Sequence, residues 1–207
     1  MKMDGIIFDV DGTLWDSTEV VAEAWTTAIR ENSDLDLTVT GPMLNRLFGK
    51  TMDEIYEALF PMLPKSEQER IGGLCYDYEN ELLEHQPGTL YDGVREAFET
   101  LSKKTGLYIV SNCQCGYIEV MLRSTGLEPY VKDTLCFGQT QTPKAQTIRT
   151  LMERNGLKDV VYIGDTQGDA DACKEAGVPF IFAEYGFGDV PEAKQRIRKI
   201  TDLISLI

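Results

Sequence analysis

Short apolar runs alternate with helical patterns along most of the chain. Five of these runs predict buried strands, and several are flanked by glycine and rich in Ile, Val, Phe or Tyr: residues 5–8, 107–110, 134–137, 160–163 and 180–183. Helical patterns lie between them, near residues 92–104, 116–125, 143–155 and 168–176. This alternation predicts an α/β fold, with a parallel sheet at the centre and helices on both faces.

One long stretch departs from the alternation. From Asp16 to about His85 the sequence has helical signals and no convincing strand. Helices are predicted at 51–60 and 65–84, and residues 86–88, Gln-Pro-Gly, predict a hinge after them. We therefore predict two units: an α/β core formed by residues 1–15 and 87–207, and a helical cap, residues 16–86, inserted after the first strand.

Charged and hydroxyl residues follow three of the predicted strands. The first strand runs into residues 9–13, Asp-Val-Asp-Gly-Thr, the second into Ser111-Asn112, and the fourth into residues 164–169, Gly-Asp-Thr-Gln-Gly-Asp. In open parallel sheets, ligands bind beyond the carboxyl ends of the strands. Two carboxylates at the end of a buried strand also require a cation nearby, because desolvating them is otherwise costly. The residues after these strands are therefore the candidate site.

Lys144 occupies an unusual position. Thr142-Pro143 predicts a helix start, with Thr as the N-cap and Pro as the first helical residue. A lysine in that first turn is unfavourable against the positive end of the helix dipole. A nearby anion would explain the charge, and a solvated surface lysine is the alternative.

The composition and charge of the chain restrict the classes of function that it can have. The chain has 207 residues, 43% of them hydrophobic and 26% charged, which suits one domain with a modest insert. The net charge of −14, without a basic patch, argues against a nucleic-acid partner but allows a small phosphorylated substrate. No apolar stretch approaches the roughly 18 residues that span a bilayer, and no signal-peptide pattern is visible. We expect a cytoplasmic protein without a membrane partner, either a monomer or a weak homodimer.

Cysteine and histidine contribute little chemistry to this picture. Five cysteines without a secretory signal predict reduced thiols, and the Cys113–Cys115 spacing lacks the second pair of a zinc site. The single histidine, His85, has no nucleophile near it in sequence, which argues against Ser-His-Asp and Cys-His mechanisms. Trp15 and Trp25 are candidates for shaping the crevice, with plain packing as the alternative.

Four motifs, in this order along the chain, resemble the haloacid dehalogenase superfamily. They are the Asp-Val-Asp-Gly-Thr segment at 9–13, Ser111 after a strand, Lys144 at a helix start, and Gly-Asp-Thr-x-x-Asp at 164–169. The resemblance covers nearly the whole chain and is to the branch with a helical cap, including phosphoglycolate phosphatase-like enzymes. It implies a Rossmann-like core and a Mg²⁺-dependent phosphatase that forms an aspartyl-phosphate.

The resemblance also implies roles for individual residues. Asp9 would be the nucleophile, and Asp11 would be the general acid for the leaving alcohol and then the base that activates water. Lys144 would stabilise the attacking carboxylate and the transferring phosphoryl group. Ser111 and Asn112 would bind the phosphate together with Lys144.

The metal site implied by the resemblance contains four aspartates. Asp9, the backbone carbonyl of Asp11, and Asp165 would bind Mg²⁺ directly, since hard oxygen ligands suit that ion. Asp169 would orient a water or a neighbouring donor. The alternative is that Asp165 and Asp169 only cap the following helix, where negative charge is favourable.

Two cations of the predicted cap are candidates for substrate recognition. Arg46 and Lys50 flank Gly49 and would suit an anionic leaving group, although a pair of solvated charges is an equally good interpretation. We expect a small phosphorylated metabolite as substrate, similar to phosphoglycolate or a sugar phosphate.

Several alternatives stay open on the same core. Inorganic pyrophosphatase and nucleotidase activities fit the motifs as well. A phosphomutase is disfavoured, because the similar mutases usually lack a residue like Thr13 and use a cap histidine, whereas His85 lies at the far end of the predicted cap. Asp11 argues against a true dehalogenase. A non-catalytic phosphate-binding module would have little need of both Asp9 and Asp11.

Overall fold

The computed structural model describes residues 3–207, and a six-stranded parallel sheet lies at its centre. The strands, in chain order, are β1 (Gly5–Phe8), β2 (Trp15–Asp16), β3 (Thr89–Leu90), β4 (Gly106–Ser111), β5 (Val131–Cys136), β6 (Val160–Gly164), β7 (Phe180–Ala183) and β8 (Arg196–Ile197). The sheet has the order β5-β4-β1-β6-β7-β8, while β2 and β3 form a separate antiparallel pair. The predicted α/β fold with a parallel sheet is confirmed.

Helices cover both faces of the sheet. They are α1 (Thr18–Asn32), α2 (Gly41–Leu44), α3 (Met52–Leu59), α4 (Lys65–His85), α5 (Val94–Leu101), α6 (Tyr117–Thr125), α7 (Phe137–Thr140), α8 (Lys144–Asn155), α9 (Gln167–Ala176) and α10 (Leu203–Leu206), with 3₁₀ turns at Glu128–Tyr130 and Ile200–Asp202. The side chains of β1 alternate between two clusters, with Phe8 against Phe98 of α5 on one face and Ile7 in the cluster with α8 and α9 on the other. Because β1 is buried on both faces, it reads as a continuous apolar run.

Strand predictions differ from the structure mainly at the edges of the sheet. β1 and β7 match, β4 is one residue longer at each end than 107–110, and β6 gains one residue. The predicted strand at 134–137 is shifted: β5 starts at Val131, and Phe137 begins α7 instead. β5 is an edge strand with partly exposed residues, so its apolar pattern is weak where it begins.

The segment between Asp16 and His85 forms four helices, α1–α4, which we call the cap helices. The two chain connections to them run side by side, because Trp15 pairs with Leu90 and Asp16 with Thr89. This pairing adds a strand at Asp16, where the sequence analysis expected none. The cap helices pack on one another, with α1 along α4. The division into a core and an inserted cap stays a prediction.

Two glycines make close contacts possible in and beside the cap helices. A Cβ on Gly88 would lie 2.9 Å from the Cα of Ser17 and from the carbonyl oxygen of Asp16, so only glycine lets the two connections approach. A Cβ on Gly72 of α4 would lie 1.9 Å from the ring of Tyr56. α3 therefore packs on α4 through an aromatic ring laid over a glycine.

Two further expectations concern thiols and membranes. All five cysteines fall within residues 3–207 and are free thiols, as predicted. Among these residues, no helix combines the length and apolarity that crossing a membrane requires.

Candidate active site

Asp9 lies directly after β1, between two neighbouring strands. Its backbone N–H donates to the carbonyl of Ile163 at 2.9 Å, which continues the sheet bonding by one residue. Its side chain is 2% exposed, and its Oδ1 accepts a hydrogen bond from Nζ of Lys144 at 3.1 Å. Burial, followed by the negative charge of Asp169, raises the pKa of Asp9. The carboxylate is thus held out of water next to a single cation.

Lys144 is buried and points at carboxylates. It is 7% exposed, and besides Asp9 its Nζ donates to Oδ1 of Asp169 at 2.6 Å. Burial alone lowers the pKa of this lysine, but the charges of Asp169 and Asp9 outweigh burial and raise it. The predicted helix start is wrong by one residue, because Pro143 is the N-cap and Lys144 begins α8. The prediction that an anion lies near Lys144 is correct, and the surface alternative is not.

Asp165 follows β6 and is bound by backbone and hydroxyl donors. It is fully buried, and its Oδ2 accepts from the N–H groups of Phe187 at 2.8 Å and Gly188 at 3.4 Å. The hydroxyl of Thr13 donates to its Oδ1 at 3.3 Å. Gly12 has φ +77°, and a Cβ there would lie 2.2 Å from Oδ2 of Asp165. The Gly-Thr turn after β1 therefore places its backbone against this carboxylate.

Asp169 has a structural role in addition to its contact with Lys144. Its Oδ2 accepts from the N–H and hydroxyl of Thr166 at 3.0 and 2.6 Å, which forms a capping box at the start of α9. Tyr162 donates to its Oδ1 at 3.4 Å. The helix-capping alternative is therefore correct for Asp169, and it leaves Oδ1 facing Lys144.

Three of the carboxylates could hold a metal ion together. One oxygen each of Asp9, Asp165 and Asp169 lies within 4.8 Å of the others, and all three residues are buried. Among residues 3–207, Lys144 is the one cation in hydrogen-bond contact with this group, so negative charge is in excess. Burial, followed by the charge of Asp169, raises the pKa of Asp165 to about 7. A buried set of carboxylate oxygens with an excess of negative charge is a suitable ligand set for Mg²⁺.

The side chain of Asp11 lies outside this group of three carboxylates. Its Oδ1 accepts hydrogen bonds from Tyr117 at 2.6 Å, Trp15 Nε1 at 3.1 Å and Ser17 at 3.2 Å. Burial raises the pKa of Asp11 to about 6, although these three bonds lower it. A carboxyl group that titrates near neutrality can give and take a proton at working pH. The sequence analysis missed the contributions of Ser17 and Tyr117.

Ser111 is the last residue of β4, and Asn112 follows it. Ser111 is 5% exposed and lines the cavity that also contains Asp9 and Asp11. The side-chain amide of Asn112 donates to the carbonyl oxygen of Gly49 at 2.9 Å. Asn112 therefore ties the core to the loop before α3, while its place in phosphate binding stays a prediction.

The cavity lies between the end of the sheet and the cap helices. Its volume is about 30 Å³, and its walls include Asp9, Asp11 and Ser111 from the core, and Trp25 and Glu79 from α1 and α4. The cap helices therefore leave a small cavity beside Asp9 and Asp11.

The two predicted cap cations differ in their position. Lys50 is exposed and lines the cavity, whereas Arg46 is exposed and is not part of its wall. Phe48, from the same loop, packs against Phe187 of the core with ring centroids 6.3 Å apart. Of the pair, only Lys50 is therefore placed to meet a ligand in this arrangement.

Glu79 is a further cavity residue that the sequence analysis missed. It is 3% exposed and lies on α4 between buried Cys75 and Leu83, one helical turn from each. The available signal was a glutamate on the apolar face of a helix, four residues from an apolar residue on either side. A glutamate is almost never fully buried unless it has partners. Its partners are Trp25 and Gln114, which are distant in sequence.

A protein-family model described as haloacid dehalogenase-like hydrolase matches residues 6–183. The chain is 27% identical over 194 residues to a phosphoglycolate phosphatase of Photobacterium profundum, covering 88% of this chain and 83% of the relative. It is 28% identical over 223 residues to a 5'-nucleotidase of Pseudomonas aeruginosa, covering 100% of this chain and 95% of the relative.

Solved structures have the same fold. A predicted phosphoglycolate phosphatase from Haemophilus somnus superposes with a TM-score of 0.84 at 21% identity, covering 100% of this chain and 98% of that one. A putative phosphoglycolate phosphatase from Lactobacillus plantarum gives 0.81 at 22% identity, with 100% of each chain covered. These likenesses extend over both the sheet and the cap helices.

Proposed function

This chain belongs to the haloacid dehalogenase-like hydrolase family, and we propose that it removes the phosphoryl group from a small phosphorylated metabolite in a Mg²⁺-dependent reaction. The predicted enzyme class, a phosphatase, agrees with the named relatives. The observation that carries the proposal is the buried contact of Asp9 with Lys144, beside Asp165 and Asp169. Substrates similar to phosphoglycolate or to a sugar phosphate are the starting candidates.

In the proposed first step, a carboxylate oxygen of Asp9 bonds to phosphorus while the bond from phosphorus to the leaving oxygen breaks. Asp11 donates its proton to that oxygen, so an alcohol departs and Asp9 carries the phosphoryl group. In the second step, Asp11 takes a proton from a water that attacks phosphorus, and the bond to Asp9 breaks. Inorganic phosphate leaves, and both carboxyl groups return to their starting states.

The other residues support these steps by binding and orientation. Lys144 orients the Asp9 carboxylate and balances charge on the transferring group, and Ser111 and Asn112 would donate to phosphate oxygens. Three hydrogen-bond donors hold the Asp11 carboxyl towards the cavity. Positioning and charge stabilisation of this kind account for most of the catalysis of phosphoryl transfer.

The residues that would hold Mg²⁺ are Asp9, the backbone carbonyl of Asp11, and Asp165, with Asp169 orienting Lys144. The ion, when bound, would offset the charge of these buried carboxylates and of the phosphate oxygens.

Phosphate release from a panel of monoesters, nucleotides and pyrophosphate, with and without Mg²⁺, tests the proposal. We expect Mg²⁺-dependent release that Asp9→Asn lowers at least about a thousandfold, because the amide is a poor nucleophile. Asp171→Asn is the matched control, since Asp171 is exposed on α9. Turnover retained in Asp9→Asn would contradict the mechanism. Binding of Mg²⁺ and phosphate without turnover would favour a binding module, and dependence on a bisphosphate activator would favour a mutase.

A further inference from the structure

Glu79 is a buried carboxyl group without a cationic partner among residues 3–207. Its Oε2 accepts from Nε1 of Trp25 at 2.5 Å, and its Oε1 accepts from Nε2 of Gln114 at 3.1 Å. Both donors are neutral, so they compensate only part of the cost of burying the group. Burial raises the pKa of Glu79 to about 8, against hydrogen bonds that lower it.

A second polar group lies one turn away on the same helix. Tyr76 is 9% exposed, and its hydroxyl makes no hydrogen bond within the described part of the chain. Its ring packs edge-on against Trp25, with centroids 5.8 Å apart. Tyr76 and Glu79 both line the cavity. Buried polar atoms without partners are rare in native proteins, so this hydroxyl needs an explanation.

The cavity separates these two side chains from the residues that carry out the proposed reaction. Asp11 and Tyr117 line it from the core, and Glu79 and Tyr76 line it from α4. The charge of Asp11 contributes to the raised pKa of Glu79, which is consistent with a short distance between them. In the proposed function, Asp11 gives its proton to the leaving oxygen. The rest of the leaving group must then extend from Asp11 towards the cap helices.

We infer that Glu79 and Tyr76 bind the leaving alcohol and select phosphate monoesters whose alcohol carries a hydrogen-bond donor, either a hydroxyl or an ammonium group. The inference rests on the proposed function and narrows its substrate class. Both oxygens of Glu79 already accept a hydrogen bond, and each has a further lone pair. Glu79 can therefore accept a hydrogen bond from a donor group of the ligand. The Tyr76 hydroxyl makes no hydrogen bond among residues 3–207, so it can take a ligand atom as its partner.

The same geometry disfavours a carboxylate leaving group such as that of phosphoglycolate. Above about pH 8, where Glu79 is ionised, a substrate carboxylate on this side would approach it between the aromatic walls of Trp25, Tyr76 and Tyr117, where repulsion is weakly screened. Substrates are therefore compared at pH 9. Within the described part of the chain, Lys50 is the single cation in the cavity wall, and it is exposed. It lies in the loop before α3 and does not pair with Glu79.

Four monoesters of similar size separate these possibilities. They carry a hydroxyl, an ammonium, a methyl or a carboxylate group: 2-hydroxyethyl phosphate, phosphoethanolamine, propyl phosphate and phosphoglycolate. With Mg²⁺, we expect kcat/KM for a donor-bearing ester to exceed that for propyl phosphate about tenfold or more. We expect phosphoglycolate to be the poorest of the four. The first two esters distinguish a polyol-type from an amino-alcohol-type substrate.

Conservative variants assign the selectivity to the two side chains. Glu79→Gln keeps the shape but removes the charge that Glu79 carries at pH 9, so at that pH we expect the ratio of kcat/KM for the preferred donor-bearing ester to that for phosphoglycolate to fall at least about tenfold. Glu81→Gln, on the exposed side of α4, is the matched control. Tyr76→Phe removes only the hydroxyl and should lower the ratio of the donor-bearing ester to propyl phosphate. Tyr78→Phe, whose hydroxyl pairs with Glu31, is its control.

A ratio between substrates does not depend on the folded fraction, so a poorly folding variant still gives a usable result. Preference of the wild-type protein for phosphoglycolate, or unchanged ratios in Glu79→Gln and Tyr76→Phe, would overturn the inference and leave the proposed function intact. Failure to release phosphate from any ester, para-nitrophenyl phosphate included, would overturn the proposed function and the inference with it.

Discussion

The protein buries carboxyl groups in two regions and compensates them differently. At the end of the sheet, Asp9 and Asp169 share the ammonium group of Lys144, and Asp165 accepts backbone N–H groups. In the cap helices, Glu79 has only the neutral donors of Trp25 and Gln114. Both regions face the crevice, yet of the residues that the structure describes, only those at the end of the sheet include a buried cation.

The difference indicates what each region needs. A nucleophilic carboxylate must stay ionised, so the core supplies positive charge and a set of oxygens that fits a metal. A carboxyl group that binds a leaving alcohol needs acceptor atoms and a protected environment, and neutral donors suffice for orientation. Three experiments test how far this contrast holds, and they follow in order of expected effect.

Removing the lysine that pairs with the buried aspartates should have the largest effect on stability. Lys144→Met leaves Asp9 and Asp169 buried without their cation, so we expect the free energy of unfolding to fall by about 3–5 kcal/mol. Denaturant unfolding at neutral pH measures it, with Lys174→Met on the exposed face of α9 as control. Saturating Mg²⁺ should restore part of the loss, because a bound cation stabilises the folded state. Equal stability of the two variants would show that Lys144 does not compensate the carboxylates.

Titration of the cap carboxyl should have a smaller effect that depends on pH. Glu79 has a pKa of about 8 in the folded protein against an ordinary value of 4.5, so the folded state binds its proton more tightly. The stability contributed by that proton is fully present below about pH 4.5 and is lost as pH rises towards 8. Relative to the wild type, Glu79→Gln should gain about 1–3 kcal/mol across this window.

Unfolding experiments on both proteins at several pH values measure this gain. Taking the difference between the two free energies of unfolding cancels the contributions of the other titrating groups. It also cancels any cost of the amide that does not vary with pH. A difference that stays flat from pH 4.5 to 8 would mean that burial does not raise the pKa of Glu79, and that its neutral donors compensate it fully.

An exposed ion pair should have the smallest effect. Arg123 of α6 and Glu84 of α4 pair at the surface, where both side chains are at least one-third exposed. Arg123→Gln should change the free energy of unfolding by less than about 1 kcal/mol, and raising the salt concentration should reduce even that. A larger loss would show that this contact between α4 and α6 holds the cap helices in place.

Local patterns in the sequence were enough to predict the strands that carry the motifs. β1 and β6 are buried on both faces, so their apolar runs are continuous and end sharply at Asp9 and Asp165. The β2–β3 pair and β8 have only two residues per strand, too few for a period to be visible. Those elements exist because neighbouring chain segments supply their hydrogen bonds.

The sequence by itself determined the α/β order, the family motifs and the side of the sheet on which Asp9, Ser111, Lys144 and Asp165 meet. It did so because strand ends and helix starts are local features, and parallel strands bring their ends together. Only the tertiary structure decided which partners surround Glu79, since Trp25 and Gln114 lie 54 and 35 residues from it along the chain. Contacts between the cap helices and the core depend on how helices pack, and residue spacing does not encode that.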